Sequence, residues 1–306
     1  MVSLRKLFVT VSAMGLALQG CTTATSAAGE PAAVAPVASG SGPALWKAAD
    51  ADTTIYLFGT VHALPQNVDW FPGMIENALK GSGELVTEIP VSAMTDPATQ
   101  QVIMQKAMLP AGQSLRDLLS DTQRTRYEAA LASFSLPPAA FDQFEPWFAA
   151  ITLSVLPLIK NGWTAESGVE HVINTKAGPT MPRSALETVE QQMAIFDTLS
   201  QDAQVAYLDN VVENIDQVQP TMDRMLAEWV EGDADDLADI MNESMSDPAL
   251  AKALLYDRNA NWAQWIDDRM DRPGTVFVAV GAGHLAGDQS VQDYLEQRGL
   301  KVTRVK

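Results

Sequence analysis

Short apolar or β-branched runs stand near the two ends of the chain, and long stretches of helical periodicity lie between them. The runs over 54–58, 84–89, 181–186, 275–280 and 300–305 predict buried strands. Helical spacing of apolar positions predicts helices over 100–108, 115–134, 146–159, 169–177, 189–218, 222–230 and 258–270. Pro137-Pro138 and Pro157 are expected to break helices within that middle. The order predicts an α/β protein, a central β-sheet flanked by helices, with a long helical insertion packed over one end of the sheet.

The pattern changes ahead of the folded part. Arg5 and Lys6 precede an apolar segment from Leu7 to Leu18, too short for an ordinary transmembrane helix, and Gly20-Cys21 follows, as in a secretory signal. Leu18-Gln19-Gly20-Cys21 also resembles a bacterial lipobox, whose Cys becomes the lipidated first residue of the mature protein. Residues 22–43 are largely Ala, Ser, Thr, Gly and Pro, with too little bulk to bury, and read as a flexible tether. The expected organisation is a signal over 1–21, a tether over 22–43 and one folded domain over 44–306. Such a protein is exported to the periplasm or outer membrane of a Gram-negative bacterium, attached to membrane only through lipid on Cys21. Cys21 is the only cysteine, so no disulfide forms within the chain.

Composition adds limits. With 306 residues, 47% of them apolar, the chain can bury a sizeable core. Lys+Arg 20 against Asp+Glu 38 gives a net charge of -18, which repels nucleic acid and anionic lipid. A peptide or small-molecule substrate remains as the partner class. There is no Gly-x-Ser-x-Gly elbow, and no phosphate loop follows a strand.

The candidate chemistry stands at the strand ends. His62 follows "IYLFGTV", Glu88 closes "ELVTE", Glu187 follows "RSAL" and His284 follows "VFVAVGAG". Ligands of open α/β sheets bind where parallel strands end, so these four residues are expected to converge. Gly59, Gly281 and Gly283 are expected to let the chain turn sharply off its strands and to allow close backbone approach to a ligand. Imidazole and carboxylate together suit zinc, manganese, iron or cobalt, which would activate a water for hydrolysis. The same residues without metal make a general acid/base set. The plainer readings are a strand-end His bonded within its loop and a Glu187 that merely opens a helix. Trp262, Trp265 and Ile266 read as a core-facing helix stripe, and the 13 methionines as core filling.

The segments "YLFGTVH", "ELVTEI", "SALETVEQQ", "LLYDRNANWAQWI" and "VFVAVGAGHLAGDQSVQDYLEQRGLKVTRV" resemble blocks of the TraB/GumN family. That family is related to the Tiki metalloproteases and more remotely to erythromycin esterase-like and ChaN-like proteins. The resemblance implies their type of fold, and a divalent-metal-dependent, peptidase-like hydrolase with His62, His284 and Glu88 as metal ligands. Together with the strand-end pattern, this makes Glu88 the expected ligand or base and Glu187 and Arg258 the groups expected to orient substrate. Arg258-Asn259 match a recurrent Arg-Asn, and a guanidinium there could hold a substrate carboxylate or an oxyanion, or form a structural ion pair. Glu170 matches an acidic position and would support the site from behind. His171 falls on a variable position and reads as a structural or surface residue. The alternatives are a metal-free, esterase-like acid/base hydrolase and a non-catalytic envelope lipoprotein that binds haem, metal or another ligand.

Overall fold

The computed structural model describes residues 42–71, 73–244 and 248–305, so the expected signal with Cys21 and the expected tether up to residue 41 lie outside the described residues. The strands are β1 (Leu45–Ala49), β2 (Thr53–Thr60), β3 (Leu64–Pro65), β4 (Glu84–Thr87), β5 (Trp163–Thr164), β6 (Arg183–Ala185), β7 (Gly274–Gly281) and β8 (Val302–Arg304). The α-helices among the described residues begin with α1 (Met74–Lys80), α2 (Pro97–Ala107), α3 (Asp121–Ser133), α4 (Pro146–Lys160), α5 (Val169–Ala177) and α6 (Val189–Asp197). They continue with α7 (Gln201–Glu213), α8 (Val218–Glu231), α9 (Ala234–Ser244), α10 (Pro248–Ala251), α11 (Asp257–Met270) and α12 (Val291–Gln297). None of the helices in the described residues is long and apolar enough to cross a membrane.

Six strands form one sheet in the order β6-β4-β7-β2-β1-β8. The first four run parallel, and β1 and β8 add an antiparallel edge. Residues Val276 to Val280 of β7 are all buried, as expected of a central parallel strand covered on both faces. Strand alternation sends the side chains to two layers. Ile55, Leu57, Val276, Val278 and Val280 pack with Trp262, Ala263 and Ile266 of α11 and Leu295 of α12. Phe58, Leu85, Phe277 and Ala279 face the helical middle. There α4 is buried from Pro146 to Ser154, and Trp147 stacks on Phe196 of α6, which stacks on Tyr207 of α7. The expected α/β sheet with its helix-rich insertion is therefore present.

The differences are local. The helix predicted over 115–134 is interrupted at Ser120, which starts α3 through a capping box with Gln123. The helix predicted over 189–218 is likewise divided, with the Ser200 side chain accepting from the N–H of Ala203 to open α7. Pro157 does not break α4. It sits in the last turn, and its carbonyl takes the backbone N–H of Asn161 at 3.2 Å and its Nδ2 at 2.8 Å. β1 was not among the predicted strands, because "LWKAA" mixes buried and exposed positions without clean alternation.

Candidate active site

The parallel order brings the C-terminal ends of β6, β4, β7 and β2 to one edge of the sheet. Each delivers a predicted residue there: Glu187, Glu88, His284 and His62. His284 rides on a short 3₁₀ turn, Ala282–Leu285, that continues β7. From the helix layer, α11 adds Arg258 and Asn259, both buried. A π-turn over Lys252–Tyr256 leads into α11, and the Leu254 carbonyl inside it accepts Arg258 Nη1 at 3.0 Å.

Glu88 is buried and fully engaged. Its Oε1 accepts the Gly281 N–H at 2.6 Å, and its Oε2 accepts Arg258 Nη2 at 2.6 Å and Gln192 Nε2 at 2.8 Å. Burial acts to raise this carboxyl, but Arg258, His284, His62 and the Gly281 N–H outweigh it and hold its pKa at about 2. At neutral pH Glu88 is therefore a carboxylate, and it anchors Arg258. Glu187 takes Arg258 Nε at 2.9 Å and Nη2 at 3.0 Å, and Trp262 Nε1 at 2.9 Å. Its own N–H donates to the Glu88 carbonyl at 2.8 Å, which ties β6 to β4 beyond the ladder.

His284 is wholly enclosed, at 0% exposure. Its Nε2 faces Arg258 Nη1 at 3.0 Å, and since a guanidinium only donates, Nε2 accepts. Nδ1–H then donates to Asn259 Oδ1 at 2.6 Å, and Asn259 Nδ2 donates to the Gln289 carbonyl at 2.7 Å, which fixes the amide. The ring lies 4.3 Å from that of Trp262. Burial and the Arg258 charge push the imidazole pKa down to about 3 against the pull of Glu88. His284 is a neutral, oriented part of the network.

His62 is different. It is partly exposed, and its Nδ1 lies 2.5 Å from Glu170 Oε1, the oxygen that also accepts the Thr60 hydroxyl at 2.5 Å. Glu170 comes from the first turn of α5, which starts against this strand end: the Val169 N–H bonds the Val61 carbonyl at 3.0 Å. Gly168 makes the approach possible, because a Cβ there would stand 2.0 Å from the His62 carbonyl oxygen. His171 lies on the exposed side of α5.

The three strand-end glycines do not owe their place to left-handed backbone. Gly59, Gly281 and Gly283 do not have positive φ, and Gly281, at φ -48° and ψ 134°, takes a conformation open to any residue. Gly59 serves close packing instead, since a Cβ would come within 2.9 Å of the Ala282 Cα. Gln192, Thr60 and Gly168 were not foreseen. Gln192 left one sign: it is a buried polar residue among Val189, Met193 and Phe196 on the core side of α6.

The residues expected as ligands of a divalent metal are each engaged by protein partners, His62 by Glu170, His284 by Arg258 and Asn259, and Glu88 by Gly281, Arg258 and Gln192. His284 Nε2 and Glu88 Oε1 lie 3.8 Å apart, but Nε2 accepts from Arg258 Nη1 and Oε1 from the Gly281 N–H, while Glu88 Oε2 accepts from Arg258 Nη2. Among the described residues, the group of three ligand atoms within 4.8 Å of one another is Glu228, Asp233 and Asp236. That acidic group has a structural duty, with Asp233 Oδ1 accepting the N–H of Asp235 and of Asp236 as α9 begins.

Comparison with known proteins adds two findings. The model of the TraB/PrgY/gumN family matches residues 44–304. "Metalloprotease TIKI1" of Danio rerio is 24% identical over an alignment of 303 residues that takes in 82% of this chain and 61% of the relative. The chain thus spans about three fifths of that relative's length. No solved structure matches the chain.

Proposed function

Since this chain belongs to the TraB/PrgY/gumN family, we propose that it is a hydrolase of amide or ester bonds, peptidase-like by comparison with its relative, with His62 as general base. The observation that carries this is the His62–Glu170–Thr60 arrangement at the open edge of the sheet. With Nδ1–H donating to a carboxylate, Nε2 is the basic nitrogen of the neutral ring, suited to take a proton from an attacking water and return it to the leaving group. Glu170 holds the tautomer and stabilises the imidazolium that forms. Glu88, Glu187, Arg258 and His284 form the buried network behind His62, which ties the ends of β4, β6 and β7 to α11. No step is assigned to a divalent cation: His284 Nε2 and Glu88 Oε2 face Arg258, Glu88 Oε1 takes the Gly281 N–H, and His62 Nδ1 rests on Glu170. The leader pattern supports action in the periplasm or at the outer membrane, with Cys21 as lipid anchor.

The test is a panel of fluorogenic peptides and carboxylic esters offered to wild-type protein and to Glu170→Gln. The expected outcome is turnover of at least one class, with Glu170→Gln lowering kcat by about ten- to a hundredfold and leaving KM nearly unchanged. A folded wild-type protein that turns over neither class would move the assignment to a ligand-binding envelope lipoprotein.

A further inference from the structure

Arginine has five N–H donors in a fixed fork. In Arg258 all five have acceptors. Nε meets Glu187 Oε1 at 2.9 Å, and Nη1 meets the Leu254 carbonyl and His284 Nε2, each at 3.0 Å. Nη2 meets Glu88 Oε2 at 2.6 Å and Glu187 Oε2 at 3.0 Å. The guanidinium also lies 4.7 Å from the Trp262 ring centroid. It is buried between two buried or nearly buried carboxylates.

We propose that Arg258 is the resident cation of this site, standing among the atoms a divalent metal would use and keeping such a metal out. A mixed set of one imidazole nitrogen and two carboxylates is a donor set for zinc or cobalt. Here the imidazole lone pair is aimed at Nη1, and the two carboxylates are bridged by Nη2. For a metal to bind His284, the guanidinium would have to leave Glu88, Glu187, the Leu254 carbonyl and the face of Trp262 together. The arrangement also removes Arg258 from substrate binding, since no donor is left for a substrate carboxylate or oxyanion. The inference concerns which cation the site holds and stands apart from whether the protein turns anything over.

The experiment is a cobalt titration of the full-length protein, read by visible absorption and by metal content after gel filtration, with His284→Ala and Arg258→Met alongside. An Asp233→Asn/Asp236→Asn background removes uptake by the exposed acidic group. Wild type and His284→Ala should retain the same cobalt and show no imidazole-type absorption. Arg258→Met should gain about one cobalt per chain, with a rise in thermal stability on cobalt addition that wild type lacks. Cobalt held by wild type and lost in His284→Ala would overturn the proposal. So would a folded Arg258→Met protein that takes up no cobalt. Should Arg258→Met not fold, the comparison of wild type with His284→Ala decides alone.

Discussion

His62 and His284 end two closely similar Gly-x-x-His stretches, yet the residues around them set opposite duties. His284 has no exposure and a pKa pushed down to about 3, while His62 is partly open and rests on a carboxylate. The strand-end histidines and glutamates were legible because a strand, a glycine and a chemical residue are contiguous in sequence. Gln192, Thr60 and Gly168 were not, because a helix, a strand and a loop bring them to the site through tertiary packing. Gln192→Leu should cost about 1.5–3 kcal/mol, since it takes a hydrogen bond from a buried carboxylate, and denaturant unfolding measures it. Gly168→Ala should destabilise by about 1–3 kcal/mol and displace His62, because the added Cβ meets backbone rather than a movable side chain. A shifted His62 imidazole resonance would report the displacement. Unchanged stability in either variant would show that the contact carries little.

At the scale of elements, the sheet was readable and the helix ends were not. Of the parallel strands, β2, β4 and β7 carry apolar runs, whereas Ser120 and Ser200 interrupt helical periodicity without disturbing it, so only their capping bonds reveal the breaks. Pro157 misleads in the other direction, being tolerated where α4 is already ending. The π-turn over Lys252–Tyr256 had no sequence signature, yet it sets the phase of Arg258. Each helical residue contributes about 100° of rotation. Deleting Ala253 should therefore turn Arg258 away from Glu88 and Glu187, and the loss of a buried counter-ion should cost about 3–5 kcal/mol. A thermal melt indistinguishable from wild type would show that the turn has no such role.

For the whole molecule, the buried network ties stability to pH. Folded His284 refuses a proton down to about 3 where its ordinary value is 6.5, and Glu88 does so down to about 2 where its ordinary value is 4.5. In both cases the unfolded chain binds the proton first, so stability is full above the ordinary values and falls as pH falls. The His284 contribution declines from about pH 6.5 and that of Glu88 from about pH 4.5, each with a slope of about 1.4 kcal/mol per pH unit. Melting temperature should drop between pH 7 and pH 4, and His284→Gln should flatten the upper part of that drop. A wild-type protein equally stable at both pH values would contradict the buried network.

The most direct test of the account is kcat/KM for wild type and His62→Ala on whichever peptide or ester is turned over. Loss of about 10²–10⁴-fold in the variant, with its fold and melting behaviour preserved, is the predicted result. Equal rates in the two proteins would contradict the assignment of His62 as the base.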